Sequence, residues 1–134
     1  MNRRKTTMLA RQLAHRLQQS NGGVVLLSGA MGAGKTTFVG EVVRTLCPQA
    51  LPASPTYTII NQYAENIFHA DLYRLWENGK QSLASVMQSI GLEDLCVAGN
   101  YVFIEWTNEL QIPNAIQIKI TVKENGNREF VIIG

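Results

Sequence analysis

At 134 residues, with 46% hydrophobic and 16% charged side chains, the chain has the size and composition of one folded domain, residues 1–134. That length can bury a core without disulfides or structural metal. A net charge of +2 is too small to argue for nucleic-acid binding by overall field alone.

The N-terminus is polar and helical in pattern, not a charged start followed by an apolar run, so no secretory leader is expected. Asn2-Arg3-Arg4-Lys5 is short and reads as a solvated terminus. Leu9, Leu13 and Leu17 recur at helical spacing among Arg11, Gln12, Arg16 and Gln18, an amphipathic helix ended by Asn21-Gly22-Gly23. His15 falls on its polar side. Val24 to Leu27 is an apolar run bounded by glycines, the pattern of a strand buried on both faces of a parallel sheet. A glycine-rich loop, Gly29 to Gly34, leads into a helix from Lys35 to Leu46 with Phe38, Val42 and Leu46 inward, stopped by Pro48.

Tyr57 to Tyr63 and Ile67 to Leu72 read as two strands joined by Ala64-Glu65-Asn66 in an antiparallel hairpin. Ser82 to Ile90 reads as a helix capped by Ser82 and stopped by Gly91, followed by a short acidic turn or helix at Leu92 to Leu95. Gly99-Asn100 opens a second buried strand, Tyr101 to Ile104. Ile116, Ile118, Ile120 and Val122 alternate with Gln117, Lys119 and Thr121, and the Asn125-Gly126 turn returns the chain into Phe130 to Ile133. The expected fold is α/β: a three-layer sandwich with a mixed sheet, parallel at its centre and antiparallel at its hairpin edges. No stretch approaches the ~18 apolar residues of a membrane span, and the expected location is the cytoplasm. Cys47 and Cys96 make neither a disulfide framework nor a metal quartet, and at the ends of apolar segments they read as buried or half-buried free thiols.

The chemistry concentrates in Gly29-Ala30-Met31-Gly32-Ala33-Gly34-Lys35-Thr36, which meets every required position of the P-loop pattern G-x-x-x-x-G-K-[ST]. Gly29, Gly32, Ala33 and Gly34 let backbone N–H groups curl around phosphates where larger side chains would clash. Lys35 supplies a point charge for the β and γ phosphates. The Thr36 hydroxyl is placed to ligate magnesium, and the helix that follows aims its positive end at the anion. Chance produces such a string on the order of once in two hundred chains of this length. Its position between a buried strand and a helix lowers that further. This is the fold signature of a P-loop nucleoside-triphosphate-binding protein.

Such a site needs an acid at the end of a neighbouring buried strand. Glu105 follows Tyr101-Val102-Phe103-Ile104, and Asp71 ends Ile67-Phe68-His69-Ala70. A lone carboxylate at a strand end is as often only solvated; two at two strand ends favour a role for at least one. His69 and Asp71 share a strand face, but two ligands without a third make a poor metal site, so His69 reads as a hydrogen-bonded structural histidine. Ser54-Pro55-Thr56-Tyr57 lies where P-loop switch proteins carry a hydroxyl that senses the γ-phosphate, and otherwise reads as a turn. Tyr73 and Trp106 suit a core or a partner-facing surface equally well.

Taken in order, Gly-Ala-Gly-Lys-Thr-Thr (32–37), Ser-Pro-Thr-Tyr (54–57), His-x-Asp-Leu-Tyr-Arg-Leu (69–75) and Glu-Trp (105–106) resemble the bacterial TsaE family, formerly called YjeE, the ATPases of tRNA threonylcarbamoyladenosine synthesis. The similarity runs from about Thr6 to the C-terminal hairpin. It implies ATP or ADP with Mg²⁺, bound along the loop through Lys35, Thr36 and Thr37, with Thr36 and Glu105 on the metal. It implies Asp71 near the hydrolytic water or the metal, so that Lys35, Asp71 and Glu105 form the catalytic set. Thr6, in an early T-x-x-L pattern, and Arg128, in the last hairpin, are further nucleotide contacts on the same ground. The implied partners are transferase proteins of the TsaB–TsaD type that modify adenosine beside the anticodon, the ATP cycle supporting turnover of that complex. Ala30 stands where the family's loop carries an acid, and Thr107 follows Glu-Trp where proline is common; neither change removes a phosphate or metal group.

Alternative readings meet specific obstacles. No Asn-Lys-x-Asp or Asp-x-x-Gly string supports a GTPase. A small-molecule kinase needs arginines in a lid, and the span between Leu75 and Leu95 has none. A non-catalytic, nucleotide-gated binding module differs only in whether Asp71 and Glu105 activate water. Hydrolysis by the isolated chain, expected to be a monomer, is expected to be slow without an arginine finger, worth roughly 10³–10⁵ in rate. Arg74 is a candidate in cis, or else a salt-bridge partner of Asp71. Without an aromatic–basic patch, direct tRNA binding is expected to be weak at best.

Overall fold

The computed structural model describes residues 3–29, 34–49, 60–72, 91–105, 112 and 114–134. The expected helix at 82–90, the start of the strand at 57–59 and the Ser54–Tyr57 segment lie outside the described residues, as do Ala30–Ala33, Tyr73–Leu75, Trp106 and Thr107.

Helix α1 spans Arg3–Gln19. Ala10, Leu13, Ala14 and Leu17 form its buried stripe, while Arg11, Gln12, His15, Arg16, Gln18 and Gln19 face solvent. Its last turn closes by a Schellman-type bond, Gly22 N to Leu17 O at 2.9 Å, with Asn21 left-handed at φ 55°. Gly22 has no room for a side chain: a Cβ there would lie 2.4 Å from the Asn100 carbonyl oxygen.

Strand β1 (Gly23–Gly29) runs up the middle of a six-stranded sheet. The others are β2 (Ile60–Ala64), β3 (Ile67–Asp71), β4 (Tyr101–Glu105), β5 (Ile116–Val122) and β6 (Arg128–Ile133). They stand in the order β2-β3-β4-β1-β5-β6. β3, β4, β1 and β5 are mutually parallel, and the antiparallel hairpins β2–β3 and β5–β6 close the two edges. The mixed sheet read from the sequence is the sheet observed.

Helix α2 (Lys35–Leu46) lies with α1 over one face. Val25 and Leu27 of β1, Phe103 of β4, and Ile116, Ile118 and Ile120 of β5 point toward these helices. Leu26, Ala70, Val102 and Ile104 point the other way, onto Leu95 of helix α3 (Leu92–Leu95), Cys96, Ile112 and Ala115. Burial on both faces is why β1 and β4 are unbroken apolar runs. Phe38, Val39, Val42 and Val43 anchor α2, each burial worth roughly 1.5–3 kcal/mol. That anchorage holds the first turn of α2 at the carboxyl ends of β1, β3 and β4.

Val122 shares the face of Ile116 to Ile120 but is 47% exposed, because β5 runs on beyond the helical layer that covers them. Two local expectations are corrected. Ala64 belongs to β2, so the β2–β3 turn is Glu65-Asn66 alone, with a register irregularity between Gln62 and Ala64. The β5–β6 loop is wider than a two-residue Asn-Gly turn. Lys123 N bonds Asn127 O at 2.7 Å and Gly126 N bonds Lys123 O at 2.9 Å, leaving 124–126 as a three-residue loop with Gly126 left-handed. Both cysteines are half-buried free thiols.

Candidate functional site

Parallel pairing brings the carboxyl ends of three strands together: Leu27 of β1 pairs with Glu105 of β4, which pairs with Asp71 of β3. The two acids singled out in the sequence are therefore neighbours in register. His69, two residues before Asp71, shares its face of the sheet.

Gly34 caps α2 at φ 101°, ψ 20°, a left-handed conformation that a side chain resists. A Cβ there would also come within 3.0 Å of Arg128 Nε. This turn lets α2 begin immediately with Lys35. The Lys35 side chain is only 5% exposed and its ammonium donates to the Gly29 carbonyl oxygen at 2.7 Å. Burial pushes the Lys35 ammonium below its usual range, while the charges of Glu105 and Asp71 pull it back up.

One residue on, the Thr36 hydroxyl donates to Glu105 Oε2 at 3.0 Å and approaches Oε1 at 3.3 Å. Glu105 is 2% exposed, and its Oε2 also bonds His69 Nε2. The imidazole is buried in turn and its Nδ1 lies 3.2 Å from the Tyr63 hydroxyl. The two rings stack with centroids 6.0 Å apart and planes 17° apart. Burial raises the Tyr63 phenol above its ordinary value, and the Glu105 charge raises it further.

Thr36 and Glu105 are hard oxygen donors pointing at one another, with Asp71 beside them. Among the described residues no three His, Cys, Asp or Glu side chains gather as a protein-only metal cage. The donor set fits Mg²⁺, which takes one or two carboxylates and completes its octahedron with phosphate and water oxygens. It does not resemble a nitrogen–sulfur zinc site.

Beside the first turn of α2 lies a cavity of about 320 Å³ lined by Thr6, Thr7, Gly34, Thr37, Glu41, Arg44, Arg128 and Phe130. Thr6 arrives on α1 and Arg128 on β6, so opposite ends of the chain meet next to the Lys35 helix. Phe130 is seated against Phe38 with ring centroids 5.2 Å apart, which fixes the strand that carries Arg128. A larger cavity of about 500 Å³ opens at the opposite ends of the strands near Arg16, Asn21 and Cys96; among the described residues no carboxylate lines it. The chemistry favours the smaller one.

The structure thus places Lys35, Thr36, Asp71 and Glu105 together, and Thr6, Gly34, Thr37 and Arg128 around one adjoining cavity. Gly29 supplies the carbonyl that holds Lys35; Gly32 and Ala33 lie outside the described residues. Sequence reading missed the bond from His69 to Glu105 and the part of Tyr63 behind it. The His-x-Asp spacing was visible, but nothing in it joins His69 to an acid 36 residues away.

Comparison with known proteins agrees with this placement of elements. The family model described as threonylcarbamoyl adenosine biosynthesis protein TsaE matches residues 1–130. The chain is 32% identical to the tRNA threonylcarbamoyladenosine biosynthesis protein TsaE of Rickettsia felis, over 98% of this chain and 76% of the relative. It is 36% identical to the protein of the same name from Treponema pallidum, over 83% of this chain and 82% of the relative. The crystal structure of Bacillus subtilis YdiB superposes with a TM-score of 0.71 at 26% identity, covering 98% of this chain and 80% of that one.

Proposed function

The chain belongs to the TsaE family, and from that premise we propose that it is a Mg²⁺-dependent ATPase supporting threonylcarbamoyl modification of tRNA adenosine beside the anticodon. The observation that carries the ATP reading is the buried Lys35 ammonium beside the Thr36–Glu105 pair at the head of α2. A buried cation whose bond goes to a backbone carbonyl is poised to exchange that acceptor for phosphate oxygens. Thr36 and Glu105 would hold magnesium, which supplies charge neutralisation along the phosphates. Asp71, in register with Glu105, is placed to orient an attacking water. Thr6, Gly34, Thr37 and Arg128 line the cavity expected to take the rest of the nucleotide, and the loop through Gly29, Gly32 and Ala33 cradles the phosphates.

Hydrolysis by the isolated monomer is slow in this reading, which assigns no residue of the chain as an arginine finger, worth roughly 10³–10⁵ in rate. Docking onto transferase proteins of the TsaB–TsaD type completes the site, and tRNA is reached through them. A tRNA-modifying role and two free thiols suit the cytoplasm. Among the described residues no helix is long and apolar enough to cross a membrane.

The test is steady-state ATP hydrolysis with Mg²⁺, for wild type and Lys35→Ala, with and without the transferase proteins. Hydrolysis that rises with the partners and vanishes in the variant supports the proposal. A wild-type rate of tens per second alone, or one indifferent to the partners, overturns the partner-gated reading.

A further inference from the structure

We propose that His69 is a positioning residue: backed by Tyr63, it locks the Glu105 carboxylate in the orientation that faces the Thr36 hydroxyl. This rests on the reading of Thr36 and Glu105 as magnesium ligands and adds what makes that pair rigid.

Glu105 is the last residue of β4. Both of its observed bonds are specific. Oε2 accepts from Thr36 Oγ1 at 3.0 Å and from His69 Nε2, so the carboxylate is held between a residue of α2 and one of β3. A carboxylate only accepts, so Nε2 carries the proton in the pair. In a neutral ring Nδ1 is then the acceptor, and the Tyr63 hydroxyl 3.2 Å away is its donor. The chain therefore runs in one direction: Tyr63 O–H to His69 Nδ1, His69 Nε2–H to Glu105. Stacking of the phenol on the imidazole fixes the ring plane from the β2 side.

The placement is not accidental packing of a polar group. His69 is 4% exposed and Glu105 is 2% exposed, and burying either polar group without its partner is costly. Sheet geometry supplies the reach: His69 and Asp71 point to the same face, and Asp71 is level with Glu105, so His69 bonds diagonally across the β3–β4 pair. One face of β3 thus contributes an acid to the site and, two residues earlier, the clamp for its neighbour's acid. Outer partners of this kind typically change metal affinity about 10–100-fold when removed.

The experiment measures binding of a non-hydrolysable ATP analogue by calorimetry, first in EDTA and then across a Mg²⁺ titration. The proteins are wild type, Thr36→Ala, His69→Ala, His69→Gln and Tyr63→Phe. For His69→Ala the Mg²⁺ requirement rises about 10–100-fold while binding in EDTA stays within about twofold of wild type. His69→Gln, whose amide N–H replaces Nε2–H, restores the wild-type titration. Tyr63→Phe, which keeps the ring and loses only the donor, shifts the Mg²⁺ requirement in the same direction by less, and decides the matter should His69→Ala not fold. A wild-type Mg²⁺ titration in His69→Ala and Tyr63→Phe overturns the inference, as does an equal loss with and without Mg²⁺. If wild type binds in EDTA but ignores Mg²⁺, or matches Thr36→Ala, the magnesium reading itself has failed. If wild type binds no nucleotide at all, the ATP reading has failed with it.

Discussion

Replacing Glu105 by glutamine and by alanine separates the charge of this side chain from its shape. The carboxylate is 2% exposed and accepts from Thr36 and His69. Glutamine keeps the volume and an acceptor oxygen, but both bonds lose their charged partner, a loss of roughly 2–3 kcal/mol in all. Against that, no carboxylate needs stripping of water on folding, a penalty of several kcal/mol per buried ion. The two effects oppose, so Glu105→Gln stays within about 2 kcal/mol of wild-type stability. Alanine leaves the buried His69 N–H without its acceptor and takes a counter-charge from Lys35, and costs about 3–5 kcal/mol. Urea unfolding followed by circular dichroism measures both. Nucleotide titrations with and without Mg²⁺ accompany it, and both variants are expected to lose the Mg²⁺-dependent part of binding. A Glu105→Gln protein with the wild-type Mg²⁺ response would refute the assignment. Equal destabilisation by the two substitutions would refute the reasoning about burial.

Gly34→Ala combines a left-handed φ of 101° with a Cβ 3.0 Å from Arg128 Nε. It is expected to cost about 1–2 kcal/mol in thermal unfolding and to weaken ATP binding by displacing Arg128. Wild-type affinity in Gly34→Ala would remove Arg128 from the nucleotide cavity. Lys35 binds its proton less tightly folded than unfolded, because burial lowers it from 10.5 more than Glu105 and Asp71 raise it. The unfolded chain therefore holds more protons in the window below 10.5, and stability rises with pH there. Wild type should gain on Lys35→Met as pH rises through that window, measured by urea midpoints at successive pH values. Tyr63, whose raised value acts in the opposite direction, is common to both proteins and cancels. A difference that is flat or falls with pH would contradict the burial of the ammonium.

Much of this was legible before the fold was known, and for identifiable reasons. Val24 to Leu27 and Tyr101 to Ile104 are apolar at every position, which only a strand covered on both faces requires, and both proved central. The loop pattern fixed Lys35 at the start of a helix, and Lys35–Leu46 is the helix found. Glu105 and Asp71 announced themselves as acids ending apolar strands. Their adjacency did not, because it depends on β3 pairing directly with β4, and strand order leaves no trace in local periodicity. The same holds for His69, whose partner is set by register, and for the meeting of Thr6 with Arg128 from opposite ends of the chain. For Val122, alternation reported the face it takes but not that the covering layer stops short of it.

The most direct test of the account is equilibrium binding of Mg·ATP to the isolated protein, wild type against Lys35→Ala. Saturable binding by wild type that weakens at least about tenfold in the variant is the result expected from loss of a charge-assisted phosphate contact of about 1.5–3 kcal/mol. Equal affinity in the two proteins would mean that the Lys35 site does not hold the nucleotide phosphates.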